Sequence, residues 1–213
     1  MTLESKYQKR HDEILVPVSR CLQEYLSEQV LTVERIDRVA VRAKGVDRFL
    51  EKSKKRKNGK LVYSDPLGEI QDQIGARIIV FYTSDVQPAV DQVEKYFAKI
   101  EQLWKEPKTN SEFGYFGRHL MLRLPPDCVP EGIDLDDAPP FFELQVRTLF
   151  QHAWSEAEHD LKYKPKRELT KEHDRKFAFT AAQSWGADLL FDELFHELSK
   201  PEPAAPRRKS AKK

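Results

Sequence analysis

Residues 141–164, FFELQVRTLFQHAWSEAEHDLKYK, constrain this chain more than any other stretch. Phe142, Leu144 and Val146 alternate with Glu143, Gln145 and Arg147. Extended backbone therefore puts three apolar side chains on one face, and a carboxylate, an amide and a guanidinium on the other. Thr148, with Gln151 three residues on, forms a capping box that predicts a helix starting there and stopping before Pro165. Such a strand demands a sheet with one greasy side and one charged side. A row of Glu, Gln and Arg suits the handling of a charged ligand and a metal; the alternative is a solvated face on an edge strand.

The length of 213 residues predicts one domain over residues 1–199 with a catalytic core at about 33–164. Residues 200–213 form a basic tail whose composition predicts disorder. A formal net charge of +1 gives no general argument for nucleic-acid binding. Cys21 and Cys128 lack CxxC spacing, which speaks against a disulfide framework or a structural zinc site. The N-terminus has no apolar signal core, and no stretch reaches membrane-spanning length. The expectation is a soluble, cytoplasmic protein with no membrane partner.

Apolar spacing predicts a helix over residues 3–31 that Pro17 kinks or divides. Residues 33–44 read as a strand that places Arg42 and Lys44 on one side. After Gly45, residues 46–57 read as a helix with Phe49 and Leu50 inward and Arg48 and Lys52 four apart on one face. Arg42, Lys44, Arg48 and Lys52 thus form a strand–turn–helix cluster of cations of the kind that converges on a phosphate. The Lys/Arg run beyond residue 54 reads as a solvated helix face.

Asp65-Pro66 starts a short helix that carries Asp72 toward RIIVFY (residues 77–82), a buried strand. Asp85 reads as the cap of a helix with Val86, Val90, Val93 and Phe97 in its core stripe. Residues 99–105 and 118–124 are two further strands. Between them Gly114 and Gly117 bracket Tyr115, an aromatic placed to stack on a base, with His119 four residues on. His152, Glu156 and His159 share a helix face that could bind a transition metal but reads better as a polar face turned to a site or to water. A final amphipathic helix spans residues 168–198.

Four blocks in this order resemble the synthetase domain of the RelA/SpoT family, especially its small single-domain alarmone synthetases. They are RAKGVDRFLEKSKK at Arg42, DQIGARIIVFY at Asp72, GYFGRH at Tyr115 and ELQVRTLFQHAWSEAEHDLKYK at Glu143. The resemblance implies an α+β fold: a mixed sheet of about five strands with helices packed on one face, flanked by N- and C-terminal helices, nucleotidyltransferase-like. It implies Mg²⁺-dependent transfer of pyrophosphate from ATP to the ribose 3′-hydroxyl of GDP or GTP, giving (p)ppGpp and AMP. Arg42, Lys44 and Lys52, with Arg48 beside them, would hold ATP. Asp72 and Glu143 would hold Mg²⁺, and Glu143 would also accept the hydroxyl proton. His119 would sit near the reacting groups, and Tyr115, Gln145 and Arg147 would bind the acceptor. The family also implies a possible homo-oligomer through the terminal helices.

The chain departs from the family pattern at two places. Arg48 stands where Ser is usual, and Phe116-Gly117 where Arg-Ser commonly follows the tyrosine. The acceptor therefore stays open between a guanosine nucleotide and the tRNA 3′ end, as in toxic relatives, and a non-catalytic nucleotide- or RNA-binding module is a further alternative.

Overall fold

The structure is a computed structural model that describes residues 1–105, 109, 112–114, 116–163 and 165–200. Tyr115 and the tail from residue 201 lie outside the described residues. Helix α1 (Leu3–Arg10), capped by Thr2, runs through a π-helical turn (His11–Leu15) into α2 (Val16–Gln29). This is the form the break at Pro17 takes. Proline has no N–H to donate, and just ahead of it the helix widens so that the Val16 N–H bonds the His11 carbonyl.

Strand β1 (Ile36–Ala43) leads into α3 (Val46–Ser53). That helix ends four residues before the expected position 57. The basic run continues instead as a hairpin of β2 (Arg56–Lys57) and β3 (Lys60–Leu61). Asn58 and Gly59 turn it with φ of 52° and 78°, the left-handed pair that a tight two-residue hairpin loop requires. Turn chemistry here overrides the helix propensity of lysine.

Next come α4 (Pro66–Glu69), β4 (Ile74–Val80), α5 (Val86–Glu94), β5 (Lys99–Lys105), β6 (Gly117–Arg123), β7 (Phe141–Thr148), α6 (Leu149–Lys162) and α7 (Lys171–Leu198). The expected helix carrying Asp72 stops at Glu69, so Asp72 sits in the turn that opens β4. Asp85 does not cap α5. Its carboxylate turns back to accept the Tyr82 N–H at 3.2 Å and the Arg35 guanidinium at 2.9 Å, because a charged donor satisfies a buried carboxylate better than a peptide dipole does.

Five strands form one mixed sheet in the order β1-β4-β7-β6-β5, with β4 and β7 parallel and the other pairs antiparallel. Strand β7 lies at the centre, which removes the edge-strand alternative for its charged face. The edge is instead β1, so Arg42 sits on an exposed border and not in a buried strand. One sheet face carries Ala76, Ile78, Leu120, Leu122, Phe142, Leu144 and Val146, all buried. Val18, Leu22 and Leu26 of α2 and Ala89, Val90 and Val93 of α5 join them in one core. Phe142 meets Phe97 edge-on at 5.5 Å, a favoured aromatic geometry. No helix among the described residues is long and apolar enough to cross a membrane.

The expected capping box starts α6. Thr148 accepts the Gln151 N–H at 3.1 Å, and the Gln151 side chain accepts the Thr148 N–H at 3.2 Å. The same threonine hydroxyl donates to Asp188 of α7 at 2.8 Å, tying the last helix to the end of the central strand. Asp188 is 3% exposed, and burial pushes its carboxyl up to about 6, against the hydrogen bond from Thr148.

A carboxyl raised above its unfolded value of 3.8 binds protons more tightly in the folded state. Its effect therefore favours folding below about pH 4 and is lost as pH rises through 6. Asp188→Asn should flatten the stability profile between pH 4 and 6 and raise stability at pH 7 by on the order of 1–3 kcal/mol. Urea denaturation at pH 4, 5, 6 and 7 measures this; an unchanged slope in the variant would contradict the assignment.

Candidate active site

The polar face of the sheet is built by strand register. Arg42 lies opposite Gly75, Gly75 opposite Glu143, and Glu143 opposite Met121, in one row across β1, β4, β7 and β6. The next row sets Arg77 beside Gln145 and Gln145 beside His119. Two-residue alternation on each strand makes these rows share one face. A Cβ built on Gly75 meets nothing within 4 Å, so bare backbone floors the space between Arg42 and Glu143.

Both oxygens of Glu143 are held. His119 Nδ1 lies 2.7 Å from Oε1, and Gln145 Nε2 donates to Oε2 at 3.1 Å. Burial works against ionisation, but the His119 hydrogen bond and charge, helped by Lys105 and Gln145, outweigh it and hold the carboxyl at about 2. Burial moves His119 the other way, below its ordinary 6.5, despite the carboxylate beside it. The two groups act as one hydrogen-bonded pair, in which the carboxylate is the form the contact favours. Gln145 is fixed in turn by Arg147, which also donates to Ser155 of α6.

Across the floor, Asp72 Oδ2 is shared by Lys44 at 3.1 Å and Lys52 at 2.9 Å. The strand–turn–helix step at Gly45 brings the two lysines together, as the sequence spacing predicts. Arg42 keeps an open side, yet desolvation by surrounding protein, followed by repulsion from Arg77 and Arg48, lowers its pKa. Such crowding of cations is relieved by a polyanion. Arg48 lies over the Tyr163 ring at 3.0 Å from the centroid, bridging α3 to the end of α6 at the rim.

These side chains line a cleft of about 760 Å³ that takes in Arg42, Lys44, Arg48, Lys52, Asp72, Gly75, Arg77, Glu143, Gln145 and Arg147. A second cleft of about 450 Å³ adjoins it and shares Lys52, Asp72, Glu143 and Gln145, adding Tyr63, Gln71, Lys105 and Met121. The two spaces meet at the two carboxylates. Of the ten candidate residues, eight line the first cleft, and His119 reaches it through Glu143. Tyr115 lies outside the described residues.

Arg77, Glu156, Ser155 and Lys105 are absent from the sequence-based site. Arg77 heads the apolar run of β4 and hides in it, although its alternation with Gly75 is the signal that it faces the polar side. It pairs with Glu156 at 2.8 Å. Glu156 and His159 line the cleft, so that part of the helix face turns to the site, while His152 lies outside the cleft's lining. Among the described residues no group of three or more His, Cys, Asp or Glu side chains could hold a metal.

Asp72 and Glu143, the two carboxylates common to both clefts, nonetheless offer hard oxygen donors. Asp72 Oδ1 is buried with no hydrogen-bond partner among the described residues, a costly state for a carboxylate oxygen. Glu143 stays ionised across the neutral range. Mg²⁺ is commonly held by one or two carboxylates together with waters and substrate phosphates rather than by a protein cage. The residues present suit that mode.

A mixed five-stranded sheet with flanking helices is the nucleotidyltransferase-like fold of the small alarmone synthetases. The chain belongs to the RelA/SpoT family: the family described as "Region found in RelA / SpoT proteins" matches residues 41–168. It is similar to GTP pyrophosphokinase YjbM of Bacillus subtilis (strain 168), 26% identical over 210 residues, covering 95% of this chain and 92% of that protein. GTP pyrophosphokinase YwaC of the same organism is 26% identical over 121 residues, 55% of this chain and 54% of that one. Among solved structures, small alarmone synthetase 1 from Bacillus subtilis superposes with a TM-score of 0.69 at 21% identity, covering 86% of this chain and 95% of that one. A GTP pyrophosphokinase family protein from Streptococcus pneumoniae gives 0.68 at 22%, covering 93% and 96%. These structural likenesses establish the fold.

His119→Ala deletes the main support of the Glu143 charge while leaving the carboxyl buried. The Glu143 titration should then move from about 2 up to or past its ordinary 4.5. Carbon-13 NMR of the labelled carboxyl reads the shift; a Glu143 still ionised at pH 3 would contradict this account.

Proposed function

We propose that the chain transfers pyrophosphate from ATP to the ribose 3′-hydroxyl of GDP or GTP, giving (p)ppGpp and AMP. The observation that carries the reading is the pair of adjoining clefts that meet at Asp72 and Glu143. One is rich in cations, as a triphosphate requires, and the other offers room for a second nucleotide. The relatives named GTP pyrophosphokinase support the same choice.

In this reading Arg42, Lys44, Arg48, Lys52 and Arg77 hold the triphosphate and offset the charge that gathers on its oxygens. Asp72 and Glu143 hold Mg²⁺, which when bound neutralises phosphate charge and acidifies a nearby hydroxyl. Tyr63, Gln71 and Lys105, joined by Tyr115, receive the acceptor, while Gln145 and Arg147 hold Glu143 toward it. The 3′-oxygen attacks the β-phosphorus, the new O–P bond forms as the α–β bridge breaks, and AMP leaves. Glu143 takes the hydroxyl proton and passes it to water. A carboxylate at about 2 is a weak base, so Glu143 acts first by orientation and charge and only second by basicity. His119 keeps it aimed.

Incubation with γ-labelled ATP and Mg²⁺ tests the reading. Label should move to a guanosine nucleotide, with AMP released only when GDP or GTP is present. Glu143→Gln and Asp72→Asn should each lower the rate roughly 10²–10³-fold or more. Label in tRNA would change the acceptor. Nucleotide binding without AMP release under any acceptor would overturn catalysis altogether.

A further inference from the structure

No residue of α1 lines either cleft, yet this helix is bonded to both segments that carry the central ion pairs. Tyr7 is fully buried, and its ring stacks on Phe49 of α3 with centroids 3.6 Å apart and planes 5° apart. Its hydroxyl donates to the Lys44 carbonyl at 2.8 Å. The Lys44 N–H donates to the Gln73 carbonyl at 2.8 Å, closing the step from β1 onto the turn that holds Asp72. The Gln73 side chain is itself locked: Arg10 Nε donates to Oε1 at 2.9 Å, and Nε2 donates to the carbonyls of Leu67 and Ile70. Arg10 is anchored at its far end by the Asp137 carbonyl at 2.6 Å.

Tyr7 and Arg10 lie one helical turn apart and share a helix side. One grips the residue before Gly45 and the other the residue after Asp72. Phe49, under the tyrosine ring, sits on the helix that presents Arg48 and Lys52. Packing alone would be served by phenylalanine at position 7; the hydroxyl adds only the bond to Lys44. A buried hydroxyl and a buried carbonyl that satisfy one another fix position far more sharply than apolar contact does.

We propose that Tyr7, acting with Arg10 and Gln73, is a positioning residue for the donor-phosphate site, holding the backbone of Lys44 against the Asp72 turn so that both lysines address one anion. This rests on the reading of that cleft as the ATP site. Tyr7 and Arg10 lie outside the family match at residues 41–168, so that region alone holds only one side of the brace.

Tyr7→Phe keeps the ring and removes the bond. Calorimetry with a non-hydrolysable ATP analogue and Mg²⁺ should show affinity lowered on the order of tenfold, with GDP affinity unchanged. In a Lys44→Met background the same change should have no further effect on ATP-analogue binding, because the group being positioned is gone. Additive losses, equal loss of GDP affinity or unchanged ATP-analogue affinity would each overturn the proposal. Arg10→Met removes the brace from the Gln73 side and should reproduce the selective loss if Tyr7→Phe folds poorly.

A second readout needs no nucleotide. Acylation of Lys44 by an amine-reactive ester, followed by peptide mass spectrometry, should accelerate several-fold in Tyr7→Phe while the exposed Lys57 reacts at its wild-type rate. If wild-type protein binds no adenosine nucleotide, the proposed reaction falls while the labelling rate still decides the brace. Equal labelling of Lys44 in wild type and variant would sink it.

Discussion

One carboxylate oxygen shared by two ammonium groups organises the polar face of the sheet. Asp72 draws Lys44 from the end of β1 and Lys52 from the far end of α3 to a single point. Without that anion, two lysines on adjacent elements would repel one another and swing into solvent. Without the lysines, the carboxylate would be a partly buried charge with nothing to offset its desolvation. Each member therefore depends on the others, and the triad sits where the two clefts join. All three groups keep some contact with water, so the gain is modest in energy and larger in geometry.

A second constraint runs along β7. Glu143, Gln145 and Arg147 bond in sequence, with His119 at one end and Ser155 at the other. Because β7 is the central strand, this row cannot relax toward an edge. Hydrogen bonding within it, from His119 above all, keeps Glu143 ionised. The site thus sets two carboxylates against the cations Arg42, Lys44 and Arg77 across one sheet face.

The strongest local patterns in the chain were also the ones most faithfully realised. Alternation over residues 142–147 and the Thr148–Gln151 box depend on neighbours within a few residues, and both stand as read. The cation cluster was legible for the same reason, since Arg42 and Lys44 are two apart on a strand and Arg48 and Lys52 four apart on a helix. What stayed hidden depends on distant partners. Arg77 looked like the lip of an apolar run until its strand register placed it beside Gln145. Tyr7 and Arg10 read as ordinary helix residues because their partners lie 37 and 63 positions away. The helix drawn through residue 57 failed on a competition between lysine propensity and the Asn58-Gly59 turn, which a pairing strand resolves and a single-segment reading does not.

The wide turn at His11–Leu15 also sets the rotational phase of everything before it. Each α-helical residue advances the chain by about 100°, and a π turn takes one residue more to complete the circle, so the wide turn offsets the N-terminal segment by roughly that angle from an unbroken α-helix of the same length. Straightening the segment to α-helix at constant length would leave Val18, Leu22 and Leu26 seated on the sheet and carry Tyr7 round to another side of the helix. An irregularity set beside a proline thereby acts as an angular spacer, coupling the pitch of an outer helix to the aim of an amine it never touches.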